Sequence, residues 1–351
     1  MIIGVDPHKG SHTATAVSPI TNAPASSLRV DATLAGYRQL LRWGKAFPER
    51  QWAIENAHGL GRHLAQWLIA RGETVVDVRT TATARVRELS RGGRRKNDML
   101  DASAAASVAA VQGDVSLVAA EDEITVFALL EERRANVAAH RVRLANQLHA
   151  LLRDLVPGGA RPALTAASAT ALLRRLRPLS AAGRTRKRLA RELVLEIRAT
   201  DARLAQIARR MAEALRARGT RLQQVQGVGP VLAARLLGRT GRASRFPSAA
   251  AFANYAGVAP IEVASGDRAR HRLSRSGDRQ LNSALHLVAV TQVRMPHSIG
   301  RSYYDRKIAE GKTRNEAMRC LKRRLADHVW RLMLVDERLH DKSAESPAAI
   351  A

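Results

Sequence analysis

Four carboxylates in the first third of the chain have the types and spacing for phosphate chemistry: Asp6, Glu55, Asp98 and Asp101. Asp6 closes a wholly apolar run, MIIGV, and Glu55 closes the strand-like QWAI, so on a mixed sheet both would emerge at neighbouring strand positions. Asp98 and Asp101 sit three apart in a helical stretch, which puts both on one helix face, one turn apart. Carboxylates gathered in this way repel one another unless a hard cation neutralises them. Mg2+ or Mn2+ is the natural partner of such oxygen ligands. Two such ions about 4 Å apart can activate an attacking oxygen and stabilise a leaving oxygen on phosphate. Plainer readings exist: an Asp before Pro is often a turn former, and Asp98, after Asn97, is a good helix N-cap. His8, His12, His58 and His63 lie near these acids and read as polar turn and helix-surface residues rather than ligands.

A second set of candidates lies in the last third. In NYAGVAPIEVASGDRARHRLSRSGDRQLN a strand-like turn passes through Ser265 and Gly266 into a basic loop, then a helix from about Asp278. Ser265, Ser274 and Ser276 are candidate nucleophiles, although a serine hydroxyl needs a base or a metal to activate it and Ser-Gly by spacing alone is a turn. Arg268, Arg270, His271, Arg272 and Arg275 around them would grip phosphate, or form only a solvated face. Upstream, Gln226-Gly227-Val228-Gly229-Pro230 with Ala233 and Ala234 reads as a small-residue hairpin between two short helices. Gly227 and Gly229 there could offer backbone amides to DNA phosphates, or simply start a helix.

The elements that must position these residues fall into segments. Residues 1–113 alternate short strands and helices in the order βββαβαβα, that of an α/β RNase H-like domain: a hairpin turning at Pro7 to Gly10, strands near Ser27 to Ala32, Gln51 to Glu55 and Thr74 to Val78, helices near Tyr37 to Ala46, Gly61 to Arg71 and Asp98 to Val111, with a basic stretch at Arg85 to Lys96. Residues 114–222 turn to long helices. Leu130, Val137, Leu144 and Leu151 recur every seven residues beside Leu148 and Leu155, and Leu193, Ile197, Thr200, Leu204, Ile207 and Met211 mark a second seam. These helices could pair antiparallel within the chain or across a dimer. Residues 223–335 form a mainly α unit ending in a basic amphipathic helix, and the polar, Pro/Ala-rich residues 336–351 read as a disordered tail.

Composition bounds the partners. The 351 residues carry 58 Lys and Arg against 31 Asp and Glu, a formal charge of +27, so a polyanion such as nucleic acid is the expected partner. Charge does not separate an enzyme from a binder. The lone Cys320 excludes an intrachain disulfide and a cysteine-based zinc knuckle, and fits a reducing compartment. No apolar run approaches a membrane span, and the start opens into a strand rather than a leader, so a cytoplasmic, nucleoid-associated bacterial protein without membrane attachment is expected.

GVDPHKGSHTATAV, AIENAHGLGRHLA, RKNDMLDA, QGVGPVLAARLL and GVAPIEVASGDRARHRLSRSGDRQLN, in this order, resemble the RuvC-like, DEDD-type transposases of the IS110 insertion-sequence family, the bridge-RNA-guided recombinases. The resemblance covers nearly the whole chain; Asn97, where Thr is frequent, is a mild departure. It implies that Asp6, Glu55, Asp98 and Asp101 are the acidic quartet holding Mg2+ in a RuvC-like domain. It further implies a nucleophilic serine in a C-terminal transposase domain with a helix-hairpin-helix-like element, best matched by Ser265, that links covalently to DNA. A dimerising coiled coil in the middle, homodimers assembling into a homotetramer, and a non-coding guide RNA pairing with donor and target DNA are implied as well. The alternative is a metal-dependent nuclease or junction resolvase in which the quartet works without any covalent serine step.

Overall fold

The computed structural model describes residues 1–89, 97–111, 115–265, 268–273 and 277–345. They form two compact units, Met1–Glu121 and Asp122–Ala351. Among the described residues no helix is long and apolar enough to cross a membrane.

The first unit is a mixed sheet with helices on both faces. Its elements are β1 (Ile2–Pro7), β2 (Ser11–Val17), β3 (Pro24–Asp31), α1 (Leu34–Gly44), β4 (Gln51–Glu55), α2 (Arg62–Ile69), β5 (Val75–Val78), α3 (Thr80–Leu89), α4 (Asp98–Val111) and β6 (Ser116–Leu117). The strands lie in the order β3-β2-β1-β4-β5-β6. β2 is antiparallel to β1 and β3, whereas β1, β4 and β5 run parallel, the RNase H-like arrangement expected from the order of elements. The two-residue alternation of strands assigns each side chain to a face. Ile3, Val5, Trp52 and Ile54 pack under Leu40 of α1 and Leu64 and Leu68 of α2, while Ile2, Ala53, Val76 and Val78 face Ala105, Ala106 and Val108 of α4.

From Ala102 to Ala110 helix α4 carries almost only small residues, and this lets its backbone reach the sheet. A Cβ added to Gly4 would lie 1.9 Å from the carbonyl oxygen of Ala102 and 2.6 Å from the amide nitrogen of Ala106. No L-residue with a side chain fits there without moving the helix. Helix α3 was not expected: its TTATARVREL carries a weak apolar pattern and overlaps the start of the basic stretch at Arg85.

In the second unit α5 (Glu123–Arg153) and α7 (Ala181–Arg218) pack against each other, with α6 (Ala166–Arg175) beside them. Ion pairs Glu123–Arg218, Arg141–Asp201 and Asp154–Arg186 run in opposite senses along the two helices, so they pair antiparallel within one chain. The buried positions of α5 include Val137, Leu144, Leu148 and Leu152, and those of α7 include Val194 where the heptad pattern pointed to Leu193. The seven-residue repeat slips by one because a straight helix turns every 3.6 residues, not 3.5.

Helices α8 (Pro230–Thr240), α9 (Ala249–Tyr255), α10 (Arg279–Arg294), α11 (Ile299–Ala309) and α12 (Arg314–Glu345) complete the unit with a two-stranded ribbon, β7 (Pro260–Ser265) and β8 (Arg268–Leu273). One core runs from Phe127, Val137 and Met211 through Leu237 and Leu285 to Val329. Two expectations are corrected here. The basic loop after Ser265 is a paired strand, because its arginines alternate with smaller residues. The segment from residue 336 does not leave the fold: α12 continues to Glu345, and Asp336 and Glu337 are buried. Asp336 accepts hydrogen bonds from the Thr220 hydroxyl and the Arg221 amide, and Glu337 accepts from the Ser244 hydroxyl and amide. Buried acids with such partners anchor a helix that composition alone reads as polar tail. Residues 346–351 lie outside the described ones.

The close approach at Gly4 makes a prediction. Gly4→Ala costs about 3 kcal/mol, the upper end for over-packing, since backbone and not a flexible side chain lies in the way. Gly10→Ala, with nothing within 4 Å, leaves stability nearly unchanged. Urea unfolding followed by tryptophan fluorescence checks this; equal midpoints for the two variants would contradict it.

Candidate metal centre and nucleic-acid interface

The candidate centre is assembled by register. On β1 the residues facing α4 are Ile2, Gly4 and Asp6, so the glycine that admits the helix and the acid beneath its first turn share a face. Val5 pairs with Ile54 in the parallel ladder, which brings Glu55 beside Asp6 one step further on. On the other side Asp6 pairs with Thr13 and Thr13 with Arg29. Glu55, Asp6, Thr13 and Arg29 therefore form one polar row across β4, β1, β2 and β3. Behind Glu55, Asn56 takes a left-handed φ of 51°. The chain there is held by the Asn56 amide on the Val78 carbonyl (2.8 Å) and the Ala57 amide on the Asp77 carboxylate (2.7 Å), so Glu55 sits at a fixed turn.

Helix α4 delivers the remaining acids. Its N-cap is Asn97, not Asp98: the Asn97 side-chain oxygen accepts from the Met99 amide at 3.1 Å, and its carbonyl accepts from the Asp101 amide at 3.0 Å. This leaves the Asp98 carboxylate free of the capping duty that the sequence offered as its plainer reading. It stands 3.4 Å from the Arg29 guanidinium. Asp101, one turn on, is buried.

One further group enters that the sequence reading set aside. Ligand atoms of Asp6, His8 and Asp98 all lie within 4.8 Å of one another. His8 follows Asp6 by two residues, the spacing at which an extended chain returns to the same side, and that was the available signal. The other histidines stay apart from this group: His12 is buried and its Nε2 lies 3.2 Å from the Tyr37 hydroxyl, His63 stacks near Tyr37, and His58 is exposed. Burial lowers the His12 imidazole below its ordinary value, with His8 and His63 adding to the effect.

The electrostatics are those of a site short of positive charge. Burial pushes the Asp6 carboxyl up from 3.8 to about 6; His8 pulls against this, and Glu55, Asp101 and Asp98 each add to the rise. The Oδ2 of Asp6 and the Oγ1 of Thr13, both in residues more than nine-tenths buried, have no hydrogen-bond partner. Orphaned buried oxygens beside crowded carboxylates fit a divalent cation, whose hard-oxygen demand they would meet.

In the second unit the ribbon β7–β8 pairs Ser265 with Arg268, Val263 with Arg270 and Ile261 with Arg272. The serine and the three arginines thus occupy register positions of one parity, with Ser265 and Arg268 forming the pair at the end of the described ladder. Ser274, Ser276 and Arg275 lie outside the described residues. The root of the ribbon is closed by two glycines. Gly257 has a φ of 65°, and a Cβ on Gly277 would fall 2.2 Å from the Gly257 Cα. The Asn282 side chain donates to the Gly257 carbonyl at 2.7 Å and accepts from the buried Lys322 ammonium, and Asp278 caps α10 while holding Arg239. Gly227, with a φ of 84°, turns the chain into α8 under Thr291; Gly229 caps that helix with no side chain bonded to it and open space around its Cα.

Two family models match the chain in succession, one described as Transposase, for the DEDD type of IS110 elements, over residues 3–157, and one described as Transposase IS116/IS110/IS902 family over residues 219–305. The insertion element IS116 uncharacterized 44.8 kDa protein of Streptomyces clavuligerus is 28% identical over 96% of this chain and 95% of its own length. The insertion element IS900 uncharacterized 42 kDa protein of Mycobacterium paratuberculosis is 29% identical over 86% of each. A probable family 20 transposase of Pseudomonas aeruginosa is 30% identical over 44% of this chain and 49% of its own. Among solved structures, T. thermophilus RuvC in complex with a Holliday junction substrate aligns with 33% of this chain and 98% of its own, at 15% identity and a TM-score of 0.27. With both models in order and relatives matched along nearly the full length, the chain belongs to the IS116/IS110/IS902 family of transposases. Its substrate is DNA, and a DEDD-type domain implies dependence on a divalent metal.

The raised Asp6 carboxyl sets a pH dependence. Between its unfolded value of 3.8 and its folded value of about 6 the native chain holds the extra proton, so metal-free stability falls as pH rises through that window. A cation displaces that proton, so stabilisation by Mn2+ should be small near pH 5 and full above about pH 7. Melting temperatures with and without Mn2+ across this range check it, and Asp6→Asn should abolish the pH dependence of the Mn2+ effect.

Proposed function

We propose that this transposase cuts and rejoins DNA using a metal-holding acidic quartet and a nucleophilic serine of the C-terminal ribbon. The observation that carries the reading is the convergence of Asp6 and Asp98, with Glu55 and Asp101 close enough to raise Asp6, at one end of the sheet. Asp6, Glu55, Asp98 and Asp101 would hold Mg2+ or Mn2+, which when bound polarises the scissile phosphate and stabilises its charge. The Ser265 oxygen attacks phosphorus, its proton leaves to a base, and the bond from phosphorus to the sugar oxygen breaks. Attack by a DNA hydroxyl then rejoins the strand and frees the serine. The one-parity register of Ser265 with Arg268, Arg270 and Arg272 supports this assignment, since arginines beside the nucleophile would hold the phosphodiester; Arg275 is a further candidate for phosphate contact. Gly227 and Gly229 would present the α8 amides to backbone phosphate as a helix-hairpin-helix-like element.

The rest of the reading follows the family resemblance. The paired long helices would serve as the dimerising coiled coil, with homodimers joining as a homotetramer. A structured non-coding RNA would pair with donor and target DNA, and the excess of basic side chains suits a complex of this kind in the bacterial nucleoid.

Denaturing gels of protein mixed with labelled DNA test the chemistry. Ser265→Ala should abolish the covalent adduct while Ser274→Ala and Ser276→Ala retain it, and Asp6→Asn should lower strand cleavage by about a hundredfold or more. An adduct that persists in Ser265→Ala overturns the serine assignment. Metal-dependent nicking that survives loss of all three serines would favour the nuclease alternative.

A further inference from the structure

The turn between β1 and β2 places an imidazole beside two carboxylates of the acidic centre, and we propose that His8 Nδ1 coordinates the same divalent cation as Asp6 and Asp98. The proposal rests on the metal reading above and adds a nitrogen donor to an otherwise all-oxygen set.

Three observations support it. The ligand atoms of Asp6, His8 and Asp98 lie within 4.8 Å of one another. Ligands round one six-coordinate ion at about 2.1 Å stand roughly 3 to 4.2 Å apart, so the group needs to contract by only about half an ångström. Second, His8 Nδ1 is 3.6 Å from the Oδ2 of Asp6, too far for a hydrogen bond and suited to two donors on a shared ion. Third, both atoms are buried and neither has a hydrogen-bond partner, although the His8 side chain as a whole is 42% exposed. The ring edge that reaches water is therefore not the one carrying Nδ1. A surface histidine without a task would turn that nitrogen outward.

The backbone holds this placement. The His8 amide donates to the Ser11 carbonyl at 2.8 Å, closing the turn, and His12 beyond it is committed to Tyr37 on the opposite face of the sheet. Arg29, 3.4 Å from Asp98, supplies the nearby positive charge that steadies the third member of the group. An imidazole donor shifts a site's preference from Mg2+ toward Mn2+, since nitrogen suits the softer ion better.

Electron spin-echo modulation of the full-length protein loaded with Mn2+ alone tests this without reference to activity. The wild type should show directly bound 14N, exchanged for 15N when the histidines are labelled, a readout that needs no variant. His8→Ala should lose the nitrogen signal, bind Mn2+ about tenfold more weakly and lose most of its Mn2+ preference over Mg2+. Mn2+ bound in the wild type with no nitrogen coupling, or coupling that persists in a folded His8→Ala, overturns the assignment of His8 and leaves the acidic centre standing. Absence of Mn2+ binding in the wild type, or binding indifferent to Asp6→Asn, overturns the metal reading itself and His8 with it.

Discussion

Strand β1 and helix α4 touch backbone to backbone at Gly4, and the arrangement of the candidate centre follows from that contact. A Cβ there would sit 1.9 Å from the Ala102 carbonyl, so the helix rides as low on the sheet as covalent geometry permits. The alanines of α4 exist for the same approach. Once the helix is seated, the carboxylate of Asp98 at its first turn falls over Asp6, two residues beyond the glycine on the same strand face. A metal centre built in this way places like charges together before any ion arrives. The raised Asp6 carboxyl and the orphaned oxygens of Asp6 and Thr13 record that cost.

The second unit uses buried acids for the opposite purpose. Glu131 of α5 meets Arg235 of α8, Asp336 meets Thr220 and Arg221, and Glu337 meets Ser244. Glu337 has both oxygens hydrogen-bonded, and Glu131 and Asp336 each have one oxygen bonded and one without a hydrogen-bond partner, so each fixes one element against another through at least one bonded oxygen. What separates them from Asp6 is a cation or backbone partner on one oxygen of each, where Asp6 stands among other carboxylates.

Much of the first unit was legible because its signals are short-range. β4 and α4 carry the bounds read from the sequence, and the hairpin of β1 and β2 follows from Pro7 to Gly10. The quartet could be placed on strand ends and one helix face because periods of 2 and 3.6 are written locally. What stayed hidden depends on contacts made elsewhere. The plainer reading gave the cap of α4 to Asp98, and the duty falls one residue earlier on Asn97, since both residue types make good caps and local sequence does not choose between them. The burial of Asp336 and Glu337 needs Thr220 and Ser244, more than ninety residues away in sequence. Leu152 replaces Leu151 in the seam because pitch, not composition, decides it. His8 was passed over as a turn residue, for its neighbourhood is made by α4, which the local sequence does not announce.

The glycine crossing at the root of the β7–β8 ribbon bears on which changes of length this ribbon tolerates. Gly257 and Gly277 leave no space for side chains, so the two strands depart from the helices at a fixed separation, and changes in length are confined to the arm between them. Within that arm the two directions of change are not equivalent. Adding residues in pairs, one to each strand, lengthens the reach and preserves the pairing of Ser265 with the parity of Arg268, Arg270 and Arg272, whereas a single insertion or deletion in β7 moves the serine to the other parity. The arm thus keeps its pairing only when its length changes by paired steps.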